Sequence, residues 1–281
     1  LLDKSLLRRH EENGDTRFSM FETVRAYAQV RLRSDDAADP VVEQFVAFVE
    51  AYVDSALVEL NGPNRYHAYA LIEREEKNIT EALRLLHRRG DYVRGLRLTL
   101  RAAVYWLDFG YPGEAERWLE AFVPSVPQEG NERDLAKAYA ALAKVDYNMR
   151  LTNPRMLERA ERSVELYRKT DDIAGLAVEQ AFMAWPLYSR FPERRAEAQL
   201  LIEKSISLAR VSGDPHTIVS TLSSTAFCRT MPIETRESLL TEALHHAETT
   251  EDPGLIFKSC IRIAWFFEIE SRYEEALPYA T

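Results

Sequence analysis

Four aspartates recur through the second half of the chain at nearly constant spacing, and a hydrophobic register travels with them. Asp134, Asp172, Asp214 and Asp252 stand 38, 42 and 38 positions apart. Thirteen residues after each comes an aromatic: Tyr147, Trp185, Phe227 and Trp265. One position before each aromatic are Asp146, Ala184, Ala226 and Ala264. Ahead of the last three marks, Ala160, Ile202 and Leu240 lie at minus twelve. Val164, Ile206 and Leu244 follow at minus eight, and Tyr167, Ala209 and Ala247 at minus five. These offsets differ by three or four, so each set occupies one face of a helix. A unit of two antiparallel helices cannot bury such faces alone, and units must therefore stack side by side into a solenoid. The marks are expected at helix starts, where a carboxylate accepts an orphan N–H and meets the positive end of the helix dipole. Pro215 and Pro253 follow two of them, at a position where a missing N–H costs nothing. Asp134, after Asn131-Glu132-Arg133, is the weakest mark and reads as lying inside its helix.

The first half is helical by the same spacing rule after a short different start. Leu6–His10 and Arg17–Met20 flank Glu11-Glu12-Asn13-Gly14-Asp15-Thr16. Asn-Gly tolerates the positive φ of a tight turn, which predicts a two-stranded hairpin. Phe21, Val24, Ala28 and Leu32 then form one apolar stripe. Asp39-Pro40 opens a long helix that Asn61-Gly62-Pro63 ends. Helices are expected over 66–89, stopping at Gly90, then over 92–107 and 113–123. With 46 % apolar residues among 281, and only 10 Gly and 12 Pro, the chain suits a packed helical core and not a many-turned β-sandwich.

Charge and composition exclude several functions. Lys and Arg number 36 against 45 Asp and Glu, and a net charge of -9 repels phosphate backbones, so nucleic acid is not an expected partner. No apolar run is long enough to span a membrane. The two cysteines, Cys228 and Cys260, form no C-x-x-C and imply a reducing compartment, hence a cytoplasmic location. The six histidines are scattered, without H-E-x-x-H, so no metal is expected. Neither a G-x-S-x-G elbow nor a G-x-x-x-x-G-K-[ST] loop occurs; no catalytic residues and no cofactor are assigned. Glu73, Glu75 and Glu76 read as a solvated helix face. The chain opens in mid-pattern and closes within the opening of another helix, Ser271–Leu277, so a segment of a larger protein is expected.

Arg17-Phe18-Ser19-Met20-Phe21-Glu22-Thr23-Val24-Arg25-Ala26-Tyr27-Ala28 resembles the segment after the winged helix in large signal-transducing nucleotide-switch (STAND) transcriptional regulators, of the LuxR-like and antibiotic-regulator-like types. Leu1–Leu7 looks like the end of that winged helix, with the Asn13-Gly14 hairpin as its wing. Glu73–Leu83 and Gly110–Glu120 are similar to later stretches of the family, so the resemblance covers about the first 125 residues. The remainder resembles tetratricopeptide repeats with units longer than the usual ~34 residues. The fold class expected is all-α: a tetratricopeptide-like α-solenoid of antiparallel helix pairs behind a β-hairpin remnant of a winged helix. Its parts are 1–33, the end of the winged helix and a connecting helix; 34–125, the first helical pairs; and 126–281, the repeats.

That resemblance implies a non-catalytic sensor and scaffold. It would bind a protein partner, a peptide or a small effector and control an ATPase switch outside this segment. A free-standing adaptor binding a protein or peptide is the alternative. First helices line the concave surface of tetratricopeptide arrays, so Tyr147, Tyr188, Arg190, Arg229 and Arg262 are the candidate ligand groove. Arginine there suits an acidic ligand, since its fork pairs carboxylates bidentately. Arg84, Arg88, Arg94 and Arg97 lie in a stretch with nine basic and five acidic residues, 65–101. They read either as a salt-bridged helical surface or as a docking face for an acidic ATPase module.

Overall fold

The computed structural model describes residues 4, 6–12, 15–32, 40–59, 65–149 and 155–280. Leu1–Asp3, Ser5, Asn13-Gly14, Asp39 and Asn61-Gly62-Pro63, on which some expectations fall, lie outside these. The chain divides into two compact units, Leu1–Phe48 and Val49–Thr281.

In the first unit, β1 (Leu7–Glu12) pairs antiparallel with β2 (Asp15–Met20), with Leu7 opposite Met20 and His10 opposite Arg17. This is the hairpin that the Asn-Gly signal predicts. α1 (Glu22–Leu32) follows directly. The Arg8 guanidinium lies 3.7 Å from the centre of the Phe21 ring, a cation–π contact that ties strand to helix start. α2 (Pro40–Glu59) begins on Pro40, as the tolerance of proline in a first turn requires, and it runs on into the second unit.

Among the described residues of the second unit, the regular elements are all helices. α3 (Arg65–Arg89) ends at Gly90, whose φ of +72° is the left-handed conformation that terminates a helix without steric cost. There follow α4 (Tyr92–Asp108), α5 (Pro112–Phe122), α6 (Glu132–Met149), α7 (Arg155–Tyr167) and α8 (Ile173–Arg190). α9 (Arg195–Ser212), α10 (Pro215–Thr225), α11 (Ile233–Glu248), α12 (Pro253–Ile269) and α13 (Tyr273–Ala280) complete it. The pairs are α4/α5, α6/α7, α8/α9, α10/α11 and α12/α13. Neighbouring pairs also meet in the stack: α4 touches α6, α7 touches α8, and α10 touches α8 and α9 behind it and α12 ahead.

The register explains this stacking residue by residue. Val164 sits in one hydrophobic cluster with Ala160, Ala184 and Ile202. Leu244 packs in the next with Ala226 and Leu240, and Ile206 bridges both clusters. Equivalent positions therefore meet equivalent surroundings, one unit further along. The caps follow as well: Asp172, Asp214 and Asp252 are N-caps, accepting from the backbone N–H of Gly175 (2.8 Å), Thr217 (2.8 Å) and Gly254 (2.9 Å). Asp134 lies inside the first turn of α6 and is bonded by Arg97 Nε at 2.7 Å. Two glycines mark where helices approach most closely. A Cβ on Gly95 would stand 2.2 Å from the Phe122 ring, and one on Gly175 would stand 2.3 Å from Tyr167.

Where the register departs from apolar, the structure compensates. Asp146 occupies the alanine position and is 1 % exposed, while Arg159 occupies that of Leu201 and Leu239. Arg159 Nη1 donates to Asp146 Oδ2 at 2.8 Å, and its Nη2 donates to Glu120. An ion pair thus stands where the other units have an apolar contact, each charge offsetting part of the cost of burying the other.

Candidate functional site

Aromatic and basic side chains recur on the first helices α4, α6, α8 and α12. Lys258 of α12 reaches within 3.9 Å of Asp108 at the end of α4, and Asp108 also accepts from the Tyr69 hydroxyl. The end of α4 and the Lys258 side chain of α12 are therefore within reach of one another. Around Asp108, Phe109 lies 4.5 Å from the Tyr69 ring and 5.2 Å from that of Tyr105, centre to centre. Burial raises the Tyr105 phenol to about 12, with the charges of Glu73 and Glu76 acting in the same direction, so it remains a hydrogen-bond donor at neutral pH.

Tyr147 lies on α6 and Arg262 on α12. The half-buried Tyr147 ring meets Phe182 edge-on, 5.7 Å between centres. The Arg262 guanidinium lies 5.7 Å from the Phe227 ring and 5.9 Å from that of Trp265. Desolvation lowers the Arg262 pKa from its ordinary value, and Tyr147 acts against that shift. No carboxylate of the described residues forms an ion pair with Arg262. Of the adjacent aromatics, Trp265 is 50 % exposed while Phe266 and Phe267 are buried, so the three divide between surface and core. Phe227 lies just beyond the end of α10, in the turn after Thr225.

The other candidate residues sit differently. Tyr188 packs near Trp185 and under Arg195, and Arg190 is exposed at the end of α8. Arg229 donates to Glu270 at 3.1 Å, a carboxylate it shares with Arg236. Its charge is thus already met within the chain. The basic stretch is also largely paired: Arg94 forks onto Glu50 of α2, Arg97 bonds Asp134 and Arg84 bonds Glu81. Arg88 likewise has an interaction of its own.

Among the described residues no group of His, Cys, Asp and Glu is placed to hold a metal, and no helix is long and apolar enough to cross a membrane. Cys228 and Cys260 are free, and burial raises the Cys228 thiol to about 12, which leaves it an unreactive packing group. Two residues that patterning passed over stand out in α8. Glu179 is 1 % and Gln180 2 % exposed, and each has a side-chain Oε1 without a hydrogen-bond partner. The register held the signal: their equivalents are Ala141, Thr221 and Ser259, and Leu142, Leu222 and Cys260.

The second unit is a helical-repeat array, and the chain as a whole is an all-α protein with one N-terminal hairpin. No protein-family model and no curated protein matches it. Among solved structures it is similar to the crystal structure of BtubC from P. vanneervenii, at 14 % identity, covering 86 % of this chain and 89 % of that one, with a TM-score of 0.42. It is also similar to the crystal structure of a Signal Transduction ATPase with Numerous Domains (STAND) protein with a tetratricopeptide repeat sensor from Pyrococcus horikoshii. That likeness has 16 % identity, covers 98 % of this chain and 55 % of that one, and has a TM-score of 0.33. The chain thus spans about half the length of the archaeal protein.

Proposed function

We propose that this chain is the sensor and scaffold region of a cytoplasmic STAND-type transcriptional regulator, non-catalytic and without a cofactor. Its inner face binds an acidic peptide segment or acidic effector, and binding biases an ATPase switch carried elsewhere in the protein. Support comes from the 17–28 motif, which falls on β2 and α1 directly behind the hairpin, and from the repeat array itself. The observation that carries the ligand chemistry is Arg262, a guanidinium held against two aromatic rings beside Tyr147 with no carboxylate of its own. Arg262 is exposed and open to a ligand, and a bidentate guanidinium–carboxylate pair adds orientation as well as charge. Coupling to the switch requires only that the ligand favour one arrangement of the array over another.

The test is fluorescence anisotropy with a labelled hexaglutamate peptide. Arg262→Gln should weaken binding about tenfold, the loss of one charge-assisted contact. Arg229→Gln should change it little, because Glu270 already occupies that side chain. Unchanged affinity in Arg262→Gln, or an equal loss in both variants, would discard this groove.

A further inference from the structure

A pocket lies where α7, α8 and α9 meet, and none of its lining residues belongs to the proposed groove. It has a volume of about 480 Å³, is open to solvent and is lined by Arg168, Leu176, Gln180, Lys204, Ser207 and Leu208. That volume is within the range of small-molecule sites. Its chemistry departs from the next equivalent interface along the array at two points.

The first departure is in charge. Arg168 lies four residues before the mark Asp172, and Lys204 ten residues before Asp214. One unit on, the same two positions are Arg210 and Glu242, which form an ion pair at 2.7 Å. There the two positions carry opposite charges, whereas here an arginine and a lysine line one pocket. Neither has an ion-pair partner among the described residues. The second departure is Gln180, 2 % exposed, whose Oε1 has no partner and whose amide N–H groups donate no hydrogen bond among the described residues. Leu142 and Leu222 hold its place in neighbouring units. A buried Oε1 without a donor is costly where leucine would pack freely, and Arg168 and Lys204, both exposed, line the pocket with no carboxylate paired to either. An anion set between them neutralises Arg168 and Lys204 and accepts from Gln180 Nε2 and the Ser207 hydroxyl, while Gln180 Oε1, itself an acceptor, gains no partner from it. Leu176 and Leu208 supply walls for an apolar body.

We propose that this pocket binds a small organic anion, a phosphate or carboxylate head on a compact apolar body. The net charge of the chain is -9, so diffuse attraction does not account for anion binding at this point.

Isothermal titration of the whole chain with phenyl phosphate, inorganic phosphate and benzamidine tests it. Phenyl phosphate should bind more tightly than inorganic phosphate, which lacks the apolar body, and the cation benzamidine should not bind. Lys204→Glu rebuilds the Arg–Glu pair of the next unit, and Gln180→Leu restores the repeat's own residue. Both should keep or raise the thermal midpoint while weakening phenyl phosphate at least about tenfold. Arg262→Gln should leave this binding unchanged, which separates the pocket from the groove. Failure of phenyl phosphate to bind the unaltered chain overturns the proposal. So does binding that survives Lys204→Glu and Gln180→Leu.

Discussion

Glu179 makes the stability of the array depend on pH in a direction opposite to that of most carboxylates. It sits in α8, fully buried, at a position where other units carry alanine, threonine or serine. Burial raises its pKa from 4.5 to about 7, with the charge of Lys144 on α6 pulling the other way. Tyr167 of α7 faces it as well, and its phenol is raised by burial and by Glu179. Between about pH 4.5 and 7 the native chain keeps a proton that the unfolded chain has released. Stability from this residue is therefore complete below about pH 4.5 and is lost as pH rises through 7. At 1.36 kcal/mol per pKa unit, the shift amounts to about 3 kcal/mol. The perturbation is Glu179→Gln, which keeps the shape and removes the titration. Urea unfolding followed by circular dichroism, repeated across this pH range, should show wild type and variant equal in acid. The variant should gain about 3 kcal/mol over wild type by about pH 8. Other titrating groups cancel in that difference. Parallel curves would mean that Glu179 is already ionised in the native array, and the burial argument would be wrong.

Two further outcomes follow from the packing. Asp146→Ala leaves Arg159 without its one fully buried partner, with the more exposed Glu120 remaining, and should cost about 3 kcal/mol. The double variant Asp146→Ala with Arg159→Leu, which restores the apolar residues of the repeat, should return to within about 1 kcal/mol of wild type. Additive losses in this cycle, read by urea unfolding, would refute the compensation argued for the pair. Gly95→Ala drives a methyl into the buried Phe122 ring and should lower stability by about 1–3 kcal/mol. Gly113→Ala, with nothing within 4 Å, should be neutral or slightly stabilising in the same thermal melt.

The stacked helix pairs, the caps and the hairpin were legible in the sequence because each rests on local physics. Spacing of three and four places Val164, Ile206 and Leu244 on buried faces whichever unit they belong to, and an aspartate before a proline caps a helix wherever it stands. Helix ends were read to within a residue or two, as with α5, which starts at Pro112 instead of Gly113 and ends at Phe122. Tertiary structure alone decided which charges are spent and which are free. Arg229 and Arg262 look alike in sequence, yet one meets Glu270, 41 residues away, while the other lies over Phe227 and Trp265. Arg168 and Lys204, 36 positions apart, share a pocket because α7 and α9 flank α8. Periodicity specifies the face a residue occupies on its own helix; the neighbour across that face depends on how the units stack, and the electrostatics of a site depends on that neighbour.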